Sequence, residues 1–278
     1  MTQPGPAGPS PGAVADGGPA HQVPILECAQ VSKAYGGLLA VSSLSFAVRP
    51  GEVYAIVGPN GAGKTSLFDC ISGVSRVTGG VIRFRDREIQ GLRAHQICRL
   101  GLARTFQTTV AFDSQTVLTN VLVGGTFGRE GENPVLSFNA AAREAALDAL
   151  ALCGLGARQA ALAGQLPVLA RKRLMLATAL ATRPSLLLLD EPVGGLNPGE
   201  RSQMIDLIRD IARTGVTVLM IEHVMKAVLA LARRILVIHH GQEIAQGPPQ
   251  IVLRDPRVIE VYLGALRPMG PDAEPVRA

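Results

Sequence analysis

Glu52-Val53-Tyr54-Ala55-Ile56-Val57 runs directly into Gly58-Pro59-Asn60-Gly61-Ala62-Gly63-Lys64-Thr65. The first part is a short, mostly apolar run with the length of a buried strand. The second part fits Gly-x-x-x-x-Gly-Lys-[Ser/Thr]. Glycines let successive backbone N–H groups turn inward and surround phosphate oxygens. In such a loop Lys64 reaches the β- and γ-phosphates and the Thr65 hydroxyl holds Mg2+. A helix over Lys64–Gly73 adds the partial positive charge of its N-terminus. Strand, glycine loop and helix predict a phosphate-binding loop made by Gly58, Pro59, Asn60, Gly61, Ala62, Gly63, Lys64, Thr65 and Ser66.

The same alternation extends outward. Ile25–Val31 and Ser43–Val48 read as strands joined through Ala34-Tyr35-Gly36-Gly37, and Gly79–Phe84 as another. After Pro184, Leu186–Asp190 reads as a strand, Gly199–Arg213 as a helix and Val216–Ile221 as a strand. Val224–Leu231 follows as a helix, then Ile235–His239 and Glu243–Gln246 as strands. Met204, Ile205, Ile208, Ile211 and Ala212 fall on one helical face. Buried strands alternating with helices predict an α/β fold with a largely parallel sheet and an antiparallel β edge. Residues 93–183 differ, being Ala/Leu-rich and mostly helical, with a polar break at Gly124–Pro134. Their clearest helices are Asn139–Leu152 and Ala170–Ala181, and they read as an inserted helical subdomain of about residues 108–183.

Composition narrows the function classes. Hydrophobic residues make up 47 % of the 278, yet no run of 18 apolar residues is free of charge or breakers, which excludes a transmembrane helix. The first residues lack the basic-then-apolar pattern of a secretory signal. The formal net charge is +5, but the basic residues are scattered apart from Arg83–Arg87 and Arg171–Arg173. With no Trp and 4 % aromatics, base-stacking platforms are poorly supplied, so no nucleic-acid partner is expected. Cys28, Cys70, Cys98 and Cys153 never approach Cys-x-x-Cys spacing and read as reduced thiols. Residues 1–23 are mostly Pro, Gly and Ala and are expected to be disordered. No internal repeat is found.

Further motifs join the phosphate loop. Leu186-Leu187-Leu188-Leu189-Asp190-Glu191 is an apolar strand ending in two carboxylates. Beside bound phosphates, Asp190 suits Mg2+ held through water, and Glu191 suits the general base for an attacking water. His223 follows the next strand, where an imidazole can bond the γ-phosphate and that water. Gln107, in Arg104-Thr105-Phe106-Gln107, carries an amide able to ligate Mg2+. Tyr35 lies between two early strands, where an aromatic either stacks on a base or belongs to the core. His21, His95, His239 and His240 have no such context.

The order of Tyr35, the glycine loop, Gln107, the Asp190-Glu191 strand and His223 resembles the nucleotide-binding subunit of an ABC transporter. The resemblance spans about residues 25–263. Arg104–Gln107, Gly195-Leu196-Asn197-Pro198, Ile221-Glu222-His223 and the stretch Asp255–Gly264 are similar to the LivG-type ATPases of branched-chain amino acid importers. The resemblance implies an ATP hydrolase with ATP and Mg2+ as cofactors, on a P-loop domain over 24–265 with a flexible tail over 266–278. It implies that Tyr35 stacks on adenine and that Gln107 contacts Mg2+ and signals to a permease. Asn197 would then sit in a dimer-contacting loop. The implied partners are a second ABC ATPase subunit, integral-membrane permease subunits and, through them, an extracellular or periplasmic solute-binding protein. The implied place is the cytoplasmic face of the membrane.

One motif departs from the family. Where a sequence like Leu-Ser-Gly-Gly-Gln is expected, this chain has Leu166-Pro167-Val168-Leu169-Ala170. That signature meets the γ-phosphate bound by the opposite subunit, with a hydroxyl and close backbone approach. Pro167 offers neither hydroxyl nor N–H, and Val168 and Leu169 place side chains where glycines would stand. The expectation is an asymmetric heterodimer whose competent site uses this chain's Lys64 and Glu191. The alternative assembly is a homodimer with two damaged sites, and the alternative function is a catalytically weak, ATP-gated regulatory clamp.

Overall fold

The computed structural model describes residues 23–107, 110–128 and 139–264. Of the expected tails 1–23 and 266–278, all but residue 23 lies outside them, as does residue 265 of the expected domain. In chain order the elements are β1 (Leu26–Tyr35), β2 (Leu38–Val48), β3 (Val53–Val57), α1 (Lys64–Ile71), β4 (Gly79–Phe84), β5 (Arg87–Glu88) and α2 (Ala94–Arg99). Next come β6 (Leu102–Arg104), α3 (Val117–Phe127), α4 (Ala140–Leu152), α5 (Val168–Leu180), β7 (Leu186–Asp190) and α6 (Pro198–Arg213). The chain continues through β8 (Thr217–Ile221), α7 (Met225–Leu231), β9 (Arg234–His239), β10 (Gln242–Gly247), α8 (Pro249–Val252) and α9 (Pro256–Gly264).

The central sheet has the order β10-β9-β3-β8-β7-β6. Its strands run parallel except β10, which pairs antiparallel with β9. Every residue of β3, β7 and β8 is buried, as expected for strands covered on both faces. Side chains alternate between two cores. Val53, Ala55, Leu187, Leu189, Val218 and Met220 join one with α3–α6. Tyr54, Ile56, Leu186, Leu188, Leu219 and Ile221 join the other with α1. A second, antiparallel sheet has the order β2-β1-β4-β5.

Several boundaries differ from the sequence reading, β1 among them, which runs to Tyr35 instead of ending at Val31. Strand β2 begins at Leu38 rather than Ser43, because it forms a hairpin with β1 through Tyr35 and Leu38. The segment expected to be helical contains β6, an edge strand paired with β7 from Leu102 to Arg104; a three-residue strand carries too little periodicity to read. The break expected from Gly124 is absent there, since α3 runs on to Phe127. A Cβ on Gly124 would lie 2.1 Å from the Thr178 carbonyl oxygen, so this glycine serves close contact between α3 and α5. The remainder of the predicted break, 129–134, lies outside the described residues. Helix α5 begins at Val168, two residues earlier than expected, with Pro167 as its N-cap. Among the described residues no helix is long and apolar enough to cross a membrane.

Candidate functional site

Parallel pairing brings the carboxyl ends of three strands to one edge. In β8, Ile221 pairs with Ile56 of β3 and with Asp190 of β7. The loops after β3, β7 and β8 therefore emerge side by side, the usual position of a site in an open α/β sheet. These loops hold Gly58–Gly63, Glu191 and His223.

The glycine loop is held tightly. Gly63 has φ +98° and a Cβ there would lie 2.1 Å from the Ala40 carbonyl oxygen, so no other residue fits. Gly58 likewise leaves no room, with Ile238 O at 2.2 Å from its Cβ position. Gly241 N donates to Ala62 O at 3.0 Å, and Ser42 N donates to Gly241 O at 2.8 Å. The turn between β9 and β10 thus stitches the loop to β2. Helix α1 starts at Lys64 with no side-chain cap, so its first amides remain for an anion. Lys64 is buried, and its Nζ donates to Gly58 O at 2.8 Å and Pro59 O at 2.9 Å. Burial lowers its pKa, while the charges of Glu191 and Asp190 oppose that fall.

Glu191 is the meeting point. Its φ is +49°. Its N–H donates to Ile221 O at 3.0 Å, and its carbonyl accepts from Lys172 Nζ at 3.2 Å. Gln107 Nε2 donates to its Oε2 at 3.0 Å, and His223 Nδ1 lies 3.6 Å from its Oε1. Asp190 is buried and accepts from Arg104 at 3.1 Å. Burial raises the Asp190 pKa, and the Arg104 guanidinium works against that rise. An open cleft of 580 Å³ is lined by Tyr35, Leu38, Leu39, Asn60–Ser66, Gln107, Glu191 and His240. Tyr35 is half-exposed there, with Lys33 Nζ 4.4 Å from its ring centre. A groove of 710 Å³ between β10 and α8–α9 is larger but has no phosphate loop.

The structure gathers the predicted residues Tyr35, Gly58–Ser66, Gln107, Asp190, Glu191 and His223 around the ends of three strands. It also adds residues the sequence did not single out. Glu222 is fully buried and accepts from Val193 N, His223 N and Val224 N at 3.0–3.1 Å, which fixes the backbone beside His223. Lys172 braces Glu191 from α5. His240, given no role above, lies on the cleft. Arg104 and Glu222 stood inside quoted motifs and Lys172 inside the basic cluster Arg171–Arg173, where nothing marked it out from its neighbours; His240 had no local signal.

Among the described residues no cluster of three or more His, Cys, Asp or Glu side chains could hold a metal. The Thr65 hydroxyl and Asp190 carboxylate are hard oxygen donors. Such a sparse set suits Mg2+, which keeps waters and shares substrate phosphates instead of filling a protein cage.

Comparison with known proteins agrees with this geometry. The profile of the ABC transporter family matches residues 41–194. The profile described as branched-chain amino acid ATP-binding cassette transporter matches residues 242–265. The chain belongs to the ABC transporter ATP-binding family. It is 39 % identical over 253 residues to the high-affinity branched-chain amino acid transport ATP-binding protein BraF of Pseudomonas aeruginosa, covering 87 % of this chain and 98 % of that one. It is 38 % identical over 255 residues to LivG of Escherichia coli K12, with the same coverages. The ADP conformation of MJ1267, an ATP-binding cassette of an ABC transporter, superposes with TM-score 0.80 at 30 % identity, covering 87 % of this chain and 100 % of that chain. This ABC-type cassette is an ATP hydrolase that energises transport. The segment Leu166–Ala170, where the resemblance leads one to expect the signature, sits at the start of α5, where Pro167 gives no side-chain cap and Val168 is exposed.

Proposed function

We propose that this chain drives uptake of branched-chain or chemically related amino acids from the cytoplasmic face of the membrane, by acting on permease subunits served by an extracellular or periplasmic binding protein. The relatives' transport of such amino acids supports the solute class. The observation that carries the chemistry is the placing of Gln107 and His223 on the two oxygens of Glu191, beside the phosphate loop. In this reading Tyr35 stacks on adenine, and the loop Gly58–Ser66 cradles the phosphates with its backbone N–H groups, Pro59 having none. Lys64 neutralises charge developing on the γ-phosphate. Glu191 takes the proton of the attacking water, and His223 orients that water and the γ-phosphate. Thr65 and Asp190, with Gln107, are the residues that would hold Mg2+. When bound, that ion supplies neutralisation of the β- and γ-phosphate oxygens. Residues 24–265 form the ATPase unit, and about 108–183 is its permease-facing subdomain.

The second subunit is a different chain. This chain's phosphate loop, Glu191 and His223 serve its own ATP, while Pro167-Val168-Leu169 would serve the partner's. A homodimer would have two weakened sites. A heterodimer with an intact partner signature keeps one full site, built on Lys64 and Glu191. The test is ATP hydrolysis by the transporter assembled with its permease and partner ATPase. Glu191→Gln should abolish most turnover. Pro167→Ser with Val168→Gly and Leu169→Gly should raise it, by restoring the second site. Unchanged turnover in the repaired signature would sink the asymmetric pair. The exposed Val168 and uncapped Pro167 also favour a second reading, a slow ATP-gated clamp. In that case Glu191→Gln would leave the already low turnover of the assembly unchanged.

A further inference from the structure

Arg104 ends β6, three residues before Gln107. Its side chain is 5 % exposed, yet it makes three directed polar contacts. One terminal nitrogen donates to Asp69 Oδ1 at 2.7 Å and Ser72 Oγ at 2.9 Å. The other donates to Asp190 Oδ2 at 3.1 Å. Burying an arginine is costly unless its fork is matched by well-placed acceptors, and here carboxylates flank it. Asp69 lies on α1, the helix that opens with Lys64 and Thr65, and Ser72 caps its end.

The same guanidinium lies 4.9 Å from the ring centre of Phe106 and 5.6 Å from that of Phe68. Phe106 is 48 % exposed, too open to be held by core packing alone. It directly precedes Gln107, whose amide reaches Glu191. A single buried cation therefore touches the helix of the phosphate loop, the carboxylate ending β7 and the aromatic that leads to Gln107. The preceding β6 residues Leu102 and Ala103 are ordinary buried apolar residues.

We propose that Arg104 is a positioning residue that sets Asp190 for Mg2+ and couples that carboxylate to the Gln107 loop through Phe106. The inference rests on the reading of Asp190 as a Mg2+-bearing residue. Its consequence is that metal affinity and the environment of Phe106 change together.

The chain has no Trp, so Phe106→Trp places a single reporter beside Arg104. The experiment titrates Mg2+ into the full-length reporter protein at saturating ATP, following its emission. Binding of a fluorescent ATP analogue without metal is measured in parallel. Arg104→Gln should raise the Mg2+ midpoint about tenfold, the scale of one charge-assisted hydrogen bond. It should flatten the emission change while leaving metal-free nucleotide affinity within about twofold. Arg104→Lys keeps the charge without the fork and should fall between. Asp69→Asn, at a side chain 25 % exposed, provides a milder variant should Arg104→Gln not fold. It should raise the midpoint about threefold. An unchanged midpoint and emission response in these variants would overturn the coupling. So would a parallel loss of metal-free nucleotide affinity, which marks a merely structural arginine. A reporter protein that binds no ATP would instead overturn the ATPase reading, and this inference with it.

Discussion

Glu191 occupies a left-handed backbone conformation, φ +49°, that costs a side-chain-bearing residue about 1–2 kcal/mol. It is held there from both sides, by Ile221 O on its N–H and Lys172 on its carbonyl. The bend out of β7 carries its carboxylate between Gln107 and His223. Glu191→Gln keeps the shape and removes the carboxylate proposed as the base. We expect kcat to fall about 10²–10⁴-fold, with ATP affinity retained because Lys64 and its loop are untouched. Steady-state hydrolysis and equilibrium nucleotide binding check the two halves separately. The thiols give a second expectation. Cys28, Cys70 and Cys153 are buried, and burial pushes Cys70 up to about 11 and Cys153 to about 12. The native chain at pH 8 should therefore react slowly with a disulfide reagent, and all four thiols should react after unfolding in guanidinium. Fast reaction of several thiols in the native chain would contradict the buried placement. At this scale the sequence was legible where the residues brought to the strand ends are consecutive, as in Gly58–Ser66 or Asp190-Glu191. It was silent where partners are distant. Arg104 meets Asp190 across 86 positions, Glu222 meets Val193 across 29 and Lys172 meets Glu191 across 19.

Helix α6 shows an element whose ends are written locally. Asn197 accepts from Glu200 N at 2.9 Å, while the Glu200 carboxylate accepts from Asn197 N at 3.1 Å. Pro198 occupies the first turn, where its missing N–H costs nothing. Asn197→Ala should cost about 1 kcal/mol in urea denaturation. Helix α3 shows the opposite. Its Gly124 reads as a breaker, yet the helix passes through because α5 requires the space. Gly124→Ala should destabilise by about 1–3 kcal/mol through overpacking against Thr178. Gly156→Ala, with nothing within 4 Å of its Cβ position, should stay within about 0.5 kcal/mol. Equal effects of the two in urea denaturation would rule out a packing role for Gly124. Strand β6 escaped reading for a related reason. Three residues become a strand only because β7 is there to pair with them.

For the molecule as a whole, the sheet order could be anticipated only as parallel and buried; which strand lies beside which depends on long crossovers that periodicity does not encode. The uncapped start of α5 bears on assembly. Glu191→Gln, expected to block hydrolysis, should remain monomeric with excess MgATP by light scattering during gel filtration. It should double in mass only when a partner ATPase with an intact signature is added. A homodimer formed by this chain alone would contradict the asymmetric pair. The central sheet has one more consequence, for the time at which the site comes into being. Strand β3 leads into the phosphate loop, yet both its neighbours, β8 and β9, come from the far end of the chain. The turn at Gly241 then closes over Ala62 and Ser42. During synthesis the nucleotide cradle is among the first parts to be made and among the last to be walled in. A nascent chain halted before β8 would carry the whole glycine motif without either strand that flanks β3 in the sheet.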